Sequence, residues 1–440
     1  MNWSLAAYSV LAWAAQPMLK RKLRRRAQAE PGYAQAVPER FGCYSPRDLG
    51  RDGQGQWVWV HAVSLGETRA AALLIKALRT AMPGMRLLLT NGTATGREEG
   101  EKLLRPGDLQ VWQPWDSRKA VQRFVRQFQP AVGVLMETEV WPNLVMACSK
   151  AQVPLVVANA RLNTKSQTGA QRWPALFLPV YSALHAVWAQ TEEDAQRLRS
   201  LGAPVHAVLG NLKFDVEPDS VLSAQGAAWR AASSKPVVIV ASSREGEEAQ
   251  WVAQWAGRQF HGVAGQCQWL IVPRHPQRFD EVHRMLEQAG LRVSRRSQWS
   301  SGQPPADVDV WLGDSVGEMP AYYAAADIGL LGGSFEPLGG QNLIEAAACG
   351  CPMVLGPHTF NFAQASQTAC EVGAAFRVLD MEQGVQLATA LARDAEGLAR
   401  ARQAALAFAQ THRGAAQATA QAIAAIVQQT QGLAQKSNNM

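Results

Sequence analysis

Several devices are missing from this chain of 440 residues, and each absence removes a class of function. The six cysteines, Cys43, Cys148, Cys267, Cys349, Cys351 and Cys370, form no CxxC pair and have no zinc-like spacing with histidine, which excludes a disulfide scaffold or zinc module and fits free thiols in a reducing compartment. There is no GxxxxGK[ST] loop, and the first-strand turn lacks GxGxxG, so ordinary NTPase and dinucleotide readings are poor. Charge is sparse at 18%, against 47% hydrophobic residues, which describes a globular protein with ample apolar surface. The length exceeds one ordinary core, so two or three domains are expected.

The apolar N-terminal stretch, residues 5–15, is shorter than the roughly 20 residues that cross a bilayer core. A signal peptide carries its positive charge before the apolar region, whereas here Lys20, Arg21, Lys22, Arg24, Arg25 and Arg26 follow it. Trp3, Tyr8 and Trp13 ahead of that basic run describe a helix in the membrane interface, its basic end on anionic lipid. The alternatives are an amphipathic helix packed on the protein body, or a full span if residues 17–23 extend the apolar segment. The net charge of +7 (pI about 9.2) admits nucleic acid, an anionic membrane or an anionic substrate. Nucleic acid is not expected as a partner, because the basic run follows an apolar helix rather than interleaving with stacking aromatics.

Strand and helix signals alternate in two halves. β-rich runs stand at residues 57–63, 86–90, 131–136, 155–158, 186–189 and 205–209, then at 237–241, 268–272, 309–312, 328–331 and 353–355. This βαβ rhythm predicts two doubly wound domains facing a cleft, with ligands at the carboxyl ends of the strands. The boundaries read as an anchor helix and basic run at 1–28, a first domain at 29–216, a linker with a short helix at 217–235, a second domain at 236–410, and a helix and tail at 411–440. Residues 429–440 read as disordered.

The chemically distinctive residues fall at strand ends. Gly332 and Gly333 follow a buried strand, Gly339 and Gly340 allow close backbone approach, and a helix from Gln341 offers free N–H groups to an anion, with Glu345 one turn in for ribose hydroxyls. A plain strand–turn–helix crossover is the alternative. In HAVSLGE (His61 to Glu67), Gly66 gives a tight turn and Glu67 is either a general base or a charge stabilising a helix start. Glu137 and Glu139, beside Trp141 and Pro142 in METEVWPN, carry the same ambiguity. Lys213 in GNLKFD, Arg244 in ASSREGEE, and Arg274 and His275 in VPRHPQRF recur at strand ends and suit a phosphate. The second half has no DxD-like acidic pair in a strand-end loop, so Arg, Lys and helix dipole would balance the charge, which suits a donor with a single phosphate.

HAVSLGE, METEVWPN, ANARLN, GNLKFD, VPRHPQRF, GDSVGEM and GGQNLIEAAACGCPMVLGPHTFNF, in that order behind the N-terminal segment, closely resemble the lipid A Kdo transferases of Gram-negative bacteria. The resemblance extends to about Phe362. It implies the GT-B arrangement of two Rossmann-like domains, acceptor in the first and donor in the second, with CMP-Kdo as donor and a lipid A precursor as acceptor. It further implies an inner-membrane location on the cytoplasmic side, membrane lipids contacted through the N-terminal helix, no cofactor and no metal. Glu67 resembles the family's proton acceptor, and Glu137 and Lys213 its transition-state stabilisers. Pro273 and Arg274, then Val316, Gly317 and Glu318, then Asn342, Leu343, Ile344 and Glu345 match its CMP-contacting segments. Gln341 stands where many relatives have histidine. The rival expectation is another GT-B enzyme using a UDP-sugar.

Overall fold

In the computed structural model, residues 3–45, 57–256, 264–299, 302–411 and 413–438 are described, without the side chains of 256, 264 and 431–438. The chain divides into two compact units, Met1–Asp215 with Arg413–Met440, and Val216–His412.

The first unit is a seven-stranded sheet in the order β3-β2-β1-β4-β5-β6-β7, with every pairing parallel. Its strands are β1 (Trp57–His61), β2 (Arg86–Asn91), β3 (Leu109–Trp112), β4 (Val132–Met136), β5 (Leu155–Ala160), β6 (Ala186–Ala189) and β7 (Val205–Val208). Strands buried on both faces need continuous apolar runs, and β1, WVWVH, is buried throughout. Its side chains alternate: Trp57 and Trp59 join one core with Leu88 and Phe124, while Val58 and Val60 join the other with Leu74 and Leu87. The helix Arg118–Phe128 buries Ala120, Val121, Phe124, Val125 and Phe128, a stripe at helical spacing that covers the first face.

The opposite face is covered partly by the end of the chain. Helix Ala415–Asn438 inserts Ala416, Ala420, Ile423 and Val427 into the core formed by β1 and helix Leu65–Ala81. Asp215 accepts hydrogen bonds from the Gly414 and Ala416 N–H groups and so fixes the start of that helix. The C-terminal segment, read as a helix and tail of its own, is therefore part of the first unit, and its helix continues to Asn438 through most of the stretch expected to be disordered. Positions 439–440 lie outside the described residues.

The second unit repeats the plan in the order β10-β11-β9-β8-β12-β13-β14, all parallel. Its strands are β8 (Val237–Ser243), β9 (Gln268–Pro273), β10 (Val293–Arg295), β11 (Val310–Leu312), β12 (Ile328–Leu331), β13 (Met353–Leu355) and β14 (Ala375–Arg377). Trp251 packs edge-on to Trp269 with ring centres 5.2 Å apart inside its core. Residues 217–235 carry helix Ser220–Ala232, whose Trp229 is buried and whose Arg230 bonds Asp327 at 2.6 Å.

The N-terminal segment forms two helices, Trp3–Ala14 and Gln16–Ala29, with Pro17 tolerated in the first turn of the second; residues 1–2 lie outside the described set. Tyr8 donates to Asp116 Oδ2 at 2.9 Å, and Ser9 Oγ lies 2.7 Å from Asn143 Oδ1, so the first helix is seated on its own unit. Trp3, Val10, Leu11 and Trp13 nonetheless remain exposed, Trp3 by 80%. Among the described residues no helix is long and apolar enough to cross a membrane.

Candidate active site

In each unit the strand order reverses beside the first strand, at β1/β4 and at β8/β12, which is where ligands bind doubly wound sheets. The site residues of the first unit flank that point. β1 ends at His61, whose Nδ1 sits 2.9 Å from Thr90 Oγ1; burial pushes the imidazole down to about 4, so the ring is neutral at pH 7. Ser64 caps the helix that follows and accepts from the Glu67 N–H. Glu67 reaches back: Oε2 accepts from the Val63 N–H at 2.8 Å and Oε1 from the Ser64 hydroxyl at 2.9 Å. This is a capping box shifted by one residue, so the helix-start role weighed for Glu67 is real. Burial lifts its carboxyl above the ordinary carboxylate range; the two hydrogen bonds oppose that lift, while the charges of Glu137 and Glu139 add to it.

Glu137 follows β4 with φ of 57°, a left-handed conformation that non-glycine residues rarely adopt, held by its N–H donating to Ala158 O at 3.0 Å. Its buried carboxylate receives Arg161 Nε at 2.9 Å. Glu139 accepts from the Trp141 indole at 2.8 Å, and burial lifts its carboxyl, with Glu137 contributing. Lys213 lies in the 3-10 turn Leu212–Asp215 beyond β7. That turn is tied to β5, because the Leu212 N–H donates to Asn159 Oδ1 at 3.0 Å. Asn159 itself is left-handed (φ 53°), on the irregular end of β5, and its buried Nδ2 has no hydrogen-bond partner among the described residues. Glu67, Glu137, Arg161 and Lys213 thus stand at the carboxyl ends of β1, β4, β5 and β7, on one edge of one sheet.

In the second unit the loop after β12 is built around a buried carboxylate. Glu247 Oε2 accepts from the Gly333 and Arg244 N–H groups, both at 2.8 Å, and Oε1 from the Phe335 N–H at 3.0 Å. Gly332 lies so close to β8 that a Cβ would meet Ser242 O at 2.1 Å, and Gly340 (φ 76°) turns back to donate to Gly333 O at 2.7 Å. These glycines serve the close packing of the loop.

The helix expected from Gln341 begins at Leu343 with Asn342 as its cap; Asn342 Oδ1 accepts from the Ile344 N–H at 3.1 Å, and Nδ2 donates to Glu345 Oε1 at 3.1 Å. Leu343 and Ile344 are buried in the core. Arg274, after Pro273 at the end of β9, is exposed, and it acts with Glu345 on the buried Tyr323 hydroxyl with opposite signs. Arg244 is drawn to Glu245 at 3.0 Å. Beyond β11, Val316 is exposed and Gly317 left-handed, while Glu318 is held by Arg296 at 2.9 Å and by the Ser315 hydroxyl. His275 starts a 3-10 turn and caps it with no side-chain bond. Among the described residues, no group of three or more His, Cys, Asp and Glu side chains could hold a metal ion.

A 3-deoxy-D-manno-octulosonic acid transferase of Bordetella pertussis is 43% identical over 409 residues, covering 91% of this chain and 94% of that protein. This chain belongs to the 3-deoxy-D-manno-octulosonic acid transferase family. Residues 35–216 match the family described as 3-Deoxy-D-manno-octulosonic-acid transferase (kdotransferase). The enzyme of that name from Haemophilus influenzae is 30% identical, over 83% of this chain and 85% of its own. A crystal structure of a glycosyltransferase from Rickettsia africae aligns over 85% of this chain and 99% of its own at 13% identity, with a TM-score of 0.53, and shares the fold. As a member of the 3-deoxy-D-manno-octulosonic acid transferase family the chain is a glycosyltransferase, with two Rossmann-like units of the GT-B class.

Sequence reasoning missed three residues of these sites. Arg161 was visible within ANARLN but carried no signal that it pairs with Glu137. Glu247 sat in ASSREGEE beside the more conspicuous Arg244. Arg278, the second arginine of VPRHPQRF, is buried against Glu248 with bonds of 2.8 and 3.1 Å; it supports the fold, leaving Arg274 as the exposed cation of that motif.

Proposed function

We propose that the chain transfers Kdo from CMP-Kdo to a lipid A precursor, lipid IVA, in lipopolysaccharide core biosynthesis, at the cytoplasmic side of the inner membrane. The carrying observation is the carboxylate–cation row Glu67, Glu137, Arg161 and Lys213 along one sheet edge, in a chain 43% identical to a Kdo transferase over most of its length.

The transfer is inverting. The acceptor hydroxyl oxygen forms a bond to the anomeric carbon of Kdo as the bond from that carbon to the CMP phosphate oxygen breaks, and the electron pair leaves with the phosphate. Glu67 takes the hydroxyl proton. Its lifted affinity for protons suits a base, and a carboxylate with about four acceptor sites still has room after Val63 and Ser64 have donated. Glu137 holds Arg161, and with Lys213 this supplies positive charge as the transition state develops. In the second unit, Arg274 and the backbone of the Val316–Gly317 loop receive CMP, and Asn342 and Glu345 bind through their polar groups. For Leu343 and Ile344 the contact is to backbone, because their side chains are in the core. The exposed tryptophans of the N-terminal helix and the basic run behind it hold the enzyme at anionic lipid.

The deciding assay combines purified protein, lipid IVA and freshly made CMP-Kdo, with products weighed by mass spectrometry. A product heavier by one or more Kdo units is expected; turnover of a UDP-sugar in its place would overturn the donor assignment. With CMP-Kdo supplied ready-made, the rate in excess EDTA should equal the control, since Arg274 and Lys213 supply the positive charge. Loss in EDTA with recovery on adding magnesium would refute that charge balance.

A further inference from the structure

The first unit holds a cavity of about 1220 Å³ between the N-terminal helix Trp3–Ala14, helix Arg118–Phe128 and helix Pro142–Lys150. It is larger than most small-ligand pockets. Arg118, Lys119, Arg123, Arg126 and Lys150 line it, and among the described residues no carboxylate does. Their placement follows from helical spacing: Lys119, Arg123 and Arg126 recur at i, i+4 and i+7 on one helix, and Met146 and Lys150 at i and i+4 on the other. Arg123 already donates to Phe41 O at 3.4 Å, whereas Arg118, Lys119, Arg126 and Lys150 form no ion pair among the described residues. Between these cations the lining mixes apolar Leu5, Met146, Ala147 and Val153 with polar side chains such as Gln122, Gln129 and Gln152.

This cavity is distinct from the catalytic edge. Pro130, Ala131 and Pro154 line it, and they precede β4 and β5, whereas Glu137 and Arg161 follow those strands. A five-residue strand at about 3.3 Å per residue separates the two ends by roughly 16 Å. One wall is the inner side of the N-terminal helix, with Leu5, Ala6 and Ser9; Trp3, Val10, Leu11 and Trp13 of the same helix are exposed.

We infer that this cavity binds one anionic glycerophospholipid, its phosphate among Arg118, Lys119, Arg126 and Lys150 and its acyl chains against Leu5, Met146, Ala147 and Val153. Cations without an ion pair among the described residues, beside a partly apolar wall, complement an anionic head on an apolar tail, and neither free phosphate nor a neutral lipid uses both parts. The inference deepens the interfacial reading of the N-terminal helix: one lipid drawn into the body beneath that helix fixes the enzyme's orientation on the bilayer.

Two experiments on the full chain separate the cavity from that reading. In solution, dihexanoyl phosphatidylglycerol below its micelle concentration is titrated by calorimetry, with dihexanoyl phosphatidylcholine and inorganic phosphate as controls. Phosphatidylglycerol should bind at least about 10-fold more tightly than either control. Arg126→Glu with Lys150→Glu should weaken it by at least about 25-fold, taking about fivefold per cation at an anionic lipid. Ala147→Trp, which keeps every charge but fills the cavity, should weaken it too. Circular dichroism and thermal unfolding show whether each variant is folded; if the double reversal is not, Ala147→Trp and Arg126→Gln decide. Equal affinity for the two lipids, unaltered affinity in the folded variants, or displacement of phosphatidylglycerol by the sugar acceptor overturns the inference. The second experiment is sedimentation with phosphatidylglycerol vesicles. Failure of the wild-type chain to sediment, with dihexanoyl phosphatidylglycerol still bound, refutes the interfacial reading and leaves the cavity standing.

Discussion

Glu67 caps a helix, and the proposed role as a base is compatible with that because its two fixed donors occupy only part of the carboxylate. Glu67→Gln preserves size and most hydrogen bonding but removes the base, so kcat should fall at least about 100-fold with little change in thermal unfolding. Near-normal turnover would return Glu67 to capping alone. Burial raises its affinity for protons, so the acid limb of kcat/KM should lie above the ordinary carboxylate range and vanish in the variant. The linked stability has the opposite sense. With the folded value above the unfolded one, this group's contribution is greatest at low pH and declines as pH rises through that interval. At this scale the sequence displayed Glu67, Glu137 and Lys213 because each follows an apolar run inside a distinctive motif. It concealed Arg161 and Glu247, whose partners come from other strands: Arg161 meets Glu137 only because β4 and β5 are adjacent, and Glu247 meets Gly333 only because β8 and β12 are.

The loop after β12 behaves as an element because one buried side chain gathers its backbone. Glu247→Gln would turn an amide N–H toward donors that need an acceptor, costing on the order of 1–3 kcal/mol for each buried group left unpaired. The expected result is a KM for the CMP donor raised about 10-fold or more, an unchanged KM for the lipid acceptor, and a lower unfolding temperature. A donor KM equal to wild type would show that the loop keeps its form without this carboxylate. The N-terminal helix is held by Tyr8 and Ser9, and a hydrogen bond to a carboxylate is worth about 1.5–3 kcal/mol. Deleting residues 1–26 should leave CMP binding intact and depress turnover on vesicle-borne acceptor; loss of CMP binding would mean that this segment supports the fold. Strand prediction worked wherever burial on both faces wrote an unbroken apolar run, as in β1, β8 and β12. It failed at β3, β10 and β14, with sequences LQVW, VSR and AFR, which are short, carry polar residues and border the sheets. The start of the helix at Leu343 was misjudged by two residues because Asn342 caps it from outside.

For the whole molecule, the division into two doubly wound units was legible from the alternation of strand and helix, but the course of the chain between them was not. An Ala- and Gln-rich helix carries no mark of which sheet it covers; the apolar positions Ala416, Ala420, Ile423 and Val427 announce only that one face is buried. Removing residues 415–438 should bare part of one face of the first sheet. The expected outcome is aggregation or early melting of the first unit, with CMP still bound by the second, read by differential scanning calorimetry with and without CMP. A truncated chain with wild-type melting would remove this helix from the core. The thiols follow the same division between interior and surface: burial lifts Cys148 to about 12 and Cys267 to about 11, which keeps them protonated and inert, while Cys43 is exposed. The return of the last helix has a consequence for biosynthesis. At about 5–20 residues per second, the ribosome finishes every strand of the first sheet well before it makes the helix that covers it. Throughout that interval the nascent first sheet carries a partly uncovered apolar face, a natural target for chaperones. The second unit, continuous in the chain, has all its strands and helices before the last helix is made.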